Sequence, residues 1–331
     1  MKERNLTFDI ARGVGIILMI MNHSLLSTDI GIYNWVNSFY MPMFFIISGY
    51  FFKVGVPWRR FLVDKSKRLL VPYLLWSLFH LVVWLLMGKA GIELRMTKQQ
   101  AILGVFWNNN VYFPIAGALW FLTALFGALI IGKFLIEKKL IWLSLIIMVV
   151  GLYINPFLPF SFDATLIGQA FVVSGYLLKR FLERKEWVKR NVLYLFIGLL
   201  GVLITVALAK INGSVNMREC TYGCFPFLFA VTGVFGSLGV LCLAKFIYGY
   251  NDKLIVKNIN ACFAYVGKAS MCYLCLNQLL ITIFQHLLPK ENVLIHLITC
   301  FITLALLTFG NFLTGVLNLK WVFGEYKRQE K

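Results

Sequence analysis

Arg12 and His23, eleven positions apart near the start of the chain, have types and a spacing that suit chemistry inside a membrane. They sit on the run from Phe8 to Ser24, which is apolar between polar ends and long enough for a membrane helix. At about 100° per residue, eleven steps fall within roughly 20° of three whole turns, so the two side chains share a face about 16 Å apart along the axis. Asp9 lies about one turn below Arg12, near the same face. A cation and an imidazole are costly in lipid unless they face protein or water. A neutral imidazole beside a hydroxyl can take its proton as general base, worth about 10²–10⁴ in rate. A membrane histidine can also serve only to bond a neighbouring helix. Arg12 on the same face, with Asn22 and Ser24 beside the ring, favours chemistry.

The rest of the chain must build the cavity that this face looks into. The sequence has 331 residues, 60% hydrophobic, 16% aromatic and 14% charged, with a mean hydropathy of +0.78. A soluble domain of this size carries more charge. Apolar runs of about 18 residues or more, each the length of one bilayer crossing, recur throughout. The expectation is an all-α, polytopic membrane protein forming a single membrane-embedded domain over residues 1–331. About ten transmembrane helices are predicted, near 9–28, 33–52, 69–87, 116–136, 140–155, 163–181, 191–210, 224–248, 262–288 and 293–318.

Loop charges set the orientation. Lys2 and Arg4 precede the first helix, whereas the next loop has only Asp29. The following loop carries Lys53, Arg59, Arg60, Lys65, Lys67 and Arg68 against Asp64. Lys138 and Lys139, the Lys179–Arg190 stretch, Lys245, Lys253 and Lys257, and the tail after Lys320 continue the alternation. Every second loop is basic, as ten crossings with both termini cytoplasmic require. Arg12 is then at the cytoplasmic end and His23 near the outer face. The net charge of +18 is accounted for by this pattern and not by a nucleic-acid partner. The first run lacks a small-residue cleavage site, which suits a retained first helix.

Other ionisable groups away from the loops are Asp163, His80, His286 and His296, and no Glu lies deep in a helix. Proton-coupled transport uses chains of buried acids, so this dearth counts against a transporter. No set of Cys, His, Asp and Glu has metal-ligand spacing. Of seven cysteines, Cys242, Cys262, Cys272, Cys275 and Cys300 read as packing residues, and a disulfide between Cys220 and Cys224 stays open. The Lys65–Arg68 cluster reads as a positive-inside anchor, as a cytoplasmic phosphate clamp, or as both, with Arg59 and Arg60 adding to it. Two outer stretches, Phe106–Pro114 with Asn108, Asn109 and Asn110, and Cys220–Pro226, read as interfacial belts or as sugar-facing lips.

Five stretches taken in order carry a resemblance. Arg12 and His23 open the series. Phe39–Tyr50, Lys65–Tyr73, Ala118–Phe126 and Ser270–Leu274 follow. Together they resemble the acyltransferase 3 family of membrane O-acyltransferases over nearly the whole chain, with the fucose 4-O-acetylase-like branch nearest in pattern. The chain departs from the family pattern at Tyr40 and Asn277, where relatives often carry His, and at Lys65, which replaces the first arginine of a basic pair. His23 is then the one motif histidine.

The resemblance implies transfer of an acyl group, usually acetyl, from cytoplasmic acyl-CoA to a hydroxyl of a cell-surface glycan or lipid-linked sugar. It implies a multi-pass protein of a bacterial-type cytoplasmic membrane, surrounded by membrane lipids. Acetyl-CoA would be the donor, with no metal. His23, Arg12 and Asp9 would form the catalytic set. Arg12, Lys65, Arg68, Arg59 and Arg60 would hold the donor, and Asn22, Ser24, Trp120 and Asn109 would contact the acceptor. The rival expectation is a transporter or flippase for a glycan intermediate.

Overall fold

The computed structural model describes residues 5–92, 96–153, 158–184, 191–288 and 292–326. Loop charges assigned above to Lys2, Arg4 and the 185–190 stretch, and those of the tail beyond 326, lie outside the described residues. The elements in chain order are α1 (Leu6–His23), α2 (Leu26–Asp29), α3 (Tyr33–Tyr50), α4 (Trp58–Lys65), α5 (Val71–Lys89), α6 (Lys98–Phe106), α7 (Trp120–Glu137), α8 (Leu143–Tyr153), α9 (Phe162–Arg184), α10 (Asn191–Asn212), β1 (Val215–Asn216), β2 (Thr221–Tyr222), α11 (Pro226–Tyr248), α12 (Leu254–Lys268), α13 (Ser270–Leu287) and α14 (Val293–Val316). The chain is nearly all helical because a backbone in lipid must satisfy its polar groups within each segment.

Among the described residues, seven helices are long and apolar enough to cross a membrane, or eight if the pair α12 and α13, bent by 79°, is one span. Two of the ten expected crossings therefore fall short. α8 has only 11 residues. α3 is long enough but too polar, since its first turns carry Tyr33, Asn34 and Asn37. The expected first span is also divided: α1 stops at His23, Leu25 takes a left-handed conformation at φ 68°, and α2 follows. Residues 58–68, expected as a basic loop, are helical, because Phe61 and Leu69 give the charged segment one buried stripe. They run through a π-helical turn at Ser66–Leu70 into α5.

Two glycine pairs bring backbones into contact and so fix the helices that carry the site. A Cβ on Gly13 of α1 would stand 2.0 Å from the Phe263 carbonyl oxygen of α12, and one on Gly267 would stand 1.8 Å from that of Asp9. Between α3 and α9 the same exchange occurs at Gly49, 1.9 Å from the Val172 oxygen, and Gly175, 1.9 Å from the Ile46 oxygen. With no hydrophobic drive between helices in lipid, such close approach supplies the association through packing.

The two ends of the bundle differ. At one end the Arg12 guanidinium lies over Phe51, just past α3, and Phe52 packs on Phe61 of α4. Buried Lys133, near the end of α7, donates to the Val56 carbonyl, pairs with Glu137 and faces the Trp58 ring. The C-terminal segment docks here too: Trp76 donates to the Val322 carbonyl at 3.1 Å and stacks on Phe323. The opposite end holds His23, the start of α7 and the β1–β2 hairpin.

Candidate active site

His23 is the last residue of α1, so the break after it leaves the ring at a helix end facing α13. Its Nδ1 lies 2.5 Å from Asn277 Oδ1. The Asn277 amide nitrogen is engaged elsewhere, donating to the carbonyls of Tyr273 at 2.7 Å and Leu274 at 3.1 Å. The oxygen must therefore be the atom turned to His23, and it accepts from Nδ1–H. The neutral ring is held with its proton on Nδ1, which leaves the Nε2 lone pair as a base.

His23 borders a cavity of about 140 Å³. Met19 and Asn22 of α1 line it, with Tyr33, Asn37, Tyr40 and Met41 of α3. Gly117, Ala118 and Trp120 close one side, Asn216, Met217 and Arg218 cover it, and Leu274 and Gln278 of α13 complete it. Against the roughly 300–1,000 Å³ of a drug-sized ligand site, this space takes a fragment of a substrate. The lining is unusually polar for a membrane interior. Asn22 donates to Asn37 Oδ1 at 3.0 Å, while Asn22 Oδ1 and Asn37 Nδ2 are buried and make no hydrogen bond. Such groups are costly unless a ligand or water meets them.

The cover is built by the hairpin between α10 and α11. Val215 pairs with Tyr222 and Asn216 with Thr221. Asn212 staples its base, donating to the Tyr222 carbonyl at 2.9 Å and accepting from the Phe225 N–H at 2.8 Å. Val215, Met217 and Tyr222 are buried, so the hairpin is inserted into the bundle. At its tip the Asn216 side chain accepts from the Arg218 N–H at 3.1 Å. The Arg218 guanidinium rests on Gly117, where a Cβ would stand 2.2 Å from Nη1. Cys220, on the same hairpin, is a free thiol, as is Cys224. Burial, with the Asp163 carboxylate nearby, pushes the Cys220 thiol up to about 12.

The expected residues separate into groups. His23, Asn22 and Trp120 share the cavity. Ser24 does not line it: its hydroxyl donates to the Met21 carbonyl at 3.2 Å and is buried in the turn. Asn109 does not reach it either, because its amide donates to Thr123 Oγ1 and accepts from Ser161, both at 2.8 Å. The amides of the expected first lip thus face inward: Asn110 donates to Asp163. Arg12 and Asp9 pair at 3.2 Å at the other end. Ile16 and Met19, each 1% exposed, fill the helix face between Arg12 and His23. Lys65 and Arg68 share Asp64, at 3.6 Å and 2.9 Å, while Arg59 and Arg60 are exposed on α4.

The remaining histidines are engaged elsewhere. His80 is buried with Nε2 at 2.8 Å from the Cys275 carbonyl, His286 bonds the Thr282 carbonyl, and His296 bonds Asp29 at 2.6 Å. Four site residues lacked a role in the sequence: Asn37, Arg218, Asn277 and Gln278, the last of which accepts from the Ala118 N–H at 2.7 Å. Lys133, also missed, is sequestered at the other end.

No curated protein and no solved structure matches the chain. The family model for the acyltransferase domain matches residues 5–311, a range that takes in the whole cavity. The chain belongs to the acyltransferase 3 family.

Proposed function

We propose that this membrane acyltransferase moves an acetyl group from cytoplasmic acetyl-CoA to a sugar hydroxyl of a cell-surface glycan or lipid-linked intermediate. The observation that carries the reading is the His23–Asn277 pair, whose geometry leaves Nε2 unprotonated beside a small polar cavity. The acceptor hydroxyl gives its proton to Nε2 as its oxygen attacks the thioester carbonyl carbon. The carbon–sulfur bond then breaks, and the imidazolium returns the proton to the leaving thiolate of CoA. The bond from Nδ1–H to Asn277 becomes charge-assisted while the ring is cationic. Asn22, Asn37 and Trp120 contact the sugar, as their unmet hydrogen bonds and ring face suit a polyol.

Arg12 and the Lys65–Arg68 turn serve the donor from the opposite end, about 16 Å below His23 along α1. Asp9 orients Arg12. Asp64 holds Lys65 and Arg68 together until phosphate replaces it. In the membrane the chain makes ten crossings with both termini cytoplasmic: the seven long apolar helices, the bent α12–α13 pair, α3 and α8. α3 is tolerated in lipid because Tyr33, Asn37 and Tyr40 face the cavity.

The test is acetyl incorporation into glycans of cells making the full chain or His23→Ala at equal membrane levels. Incorporation is expected to fall to background in the variant. Unchanged incorporation would remove His23 from the mechanism.

A further inference from the structure

We infer that Arg218 binds an anionic group of the acceptor, so that the substrate is an acidic or phosphate-bearing sugar. The inference rests on the acetyl-transfer reading of the same cavity. The Arg218 guanidinium lines the cavity with His23, and its Nε is buried without a hydrogen bond. Among the described residues no carboxylate stands within ion-pair distance of it. The neighbouring Glu219 carboxylate is exposed and acts on the guanidinium from beyond ion-pair distance, without a hydrogen bond to it. A guanidinium drawn partly out of water with its Nε unmet is costly at all times, and a group that develops charge only in passing would leave that cost in place through most of the cycle. An anion on the bound substrate offsets it in the ground state, and the planar fork of an arginine fits carboxylate or phosphate oxygens.

The surroundings are shaped for this position. Gly117 leaves room for the guanidinium and for nothing larger: a Cβ there would stand 2.2 Å from Nη1. The hairpin that presents Arg218 is fixed by Asn212 below and by the Asn216 cap above. Neutral amides of Asn22 and Asn37 line the same space, suited to the hydroxyls of the sugar that carries the charge.

The experiment uses cells making the full chain, His23→Ala, Arg218→Gln, Arg218→Lys or Gly117→Ala, fed radiolabelled acetate. Extracted glycans and lipid-linked sugars are resolved by anion exchange, with label expressed per molecule of protein in the membrane. The label that depends on His23 is expected to elute as an anion. Arg218→Gln is expected to lose about tenfold or more of it, with Arg218→Lys losing less. Gly117→Ala keeps the charge and the hairpin but displaces the guanidinium, and is expected to lose label as well.

Carbodiimide amidation that turns the labelled species neutral identifies a carboxylate, and hydrogen fluoride cleavage that does so identifies a phosphate. Elution as a neutral species, or full incorporation by both Arg218→Gln and Gly117→Ala, would overturn the inference while leaving acetyl transfer intact. Absence of any label that depends on His23 would overturn both.

Discussion

Asn277→Leu separates the orientation of His23 from its presence. The substitution keeps the number and branching of side-chain heavy atoms but removes the oxygen that accepts from Nδ1–H at 2.5 Å. A neutral hydrogen bond contributes about 0.5–1.5 kcal/mol net and one to a charged group about 1.5–3 kcal/mol. In the proposed mechanism His23 is neutral before the reaction and cationic in the transition state. Only the difference between those two bonds, about 1–1.5 kcal/mol, is lost from transition-state stabilisation. With no bond to favour it, the Nδ1-protonated form falls to about half of the neutral ring, which adds about 0.4 kcal/mol. The sum of about 1.4–1.9 kcal/mol predicts a kcat about 10–25-fold lower.

The loss is smaller than the roughly 10⁴-fold drop when a carboxylate partner of histidine is neutralised, because Asn277 carries no charge. The assay is single-turnover transfer of labelled acetyl from saturating acetyl-CoA by the purified protein in lipid nanodiscs, with melting followed in parallel. Donor affinity is expected to hold, since the change lies far from Arg12 and the basic turn. A kcat within about twofold of the parent, with the fold intact, would refute the assignment of Nε2 as the base.

Arg12→Ala and Arg68→Ala should each raise the KM for acetyl-CoA with kcat retained. The Arg68 effect is held to about fivefold by its 37% exposed side chain and solvent screening; unchanged KM in both would end the donor assignment. Met19→Trp should plug the floor beneath His23, lowering activity without a loss of membrane level, because Met19 is 1% exposed and lines the cavity. Gly267→Ala should cost roughly 1–3 kcal/mol of stability, read as a lowered melting temperature, because its Cβ would meet the Asp9 carbonyl oxygen at 1.8 Å. In single-cysteine variants, maleimide at neutral pH should label exposed Cys224 well before Cys220. With Cys220 pushed up to about 12 its thiolate is scarce below that pH. Equal rates would show that the hairpin does not bury Cys220.

What could be read from the chain followed from local periodicity. The Arg12–His23 face needed only helix geometry, and α1 carries both residues as expected. The partner of His23 was not readable, because Asn277 lies 254 residues away and stood out only as a departure from a pattern. Arg218 gave less signal still. A lone arginine in an outer loop looks like any surface cation, and nothing local says that a hairpin with two residues per strand folds back into the bundle. The opposite error occurred at Asn109. Its amide-rich neighbourhood suggested a sugar lip, yet a buried loop must satisfy its own polar groups first, and Thr123 and Ser161 take that side chain.

These outcomes bear on how donor and acceptor meet. Arg12, Lys65 and Arg68 gather at one end and His23 at the other, with the Met19 and Met41 side chains set into the cavity wall between them. Methionine has three rotatable bonds and repacks at little cost. On the proposed reading a narrow pantetheine arm arriving from the Arg12 end would displace these two side chains and pass beside branched Ile16, which is buried on the same face. The same packing would then close behind it and keep the thioester from water. The polar residues that would receive a sugar all lie on the far side of that floor, under the hairpin. On the proposed reading, two substrates that entered from opposite ends would meet only at His23, which would account for a base placed at the end of its helix instead of the middle.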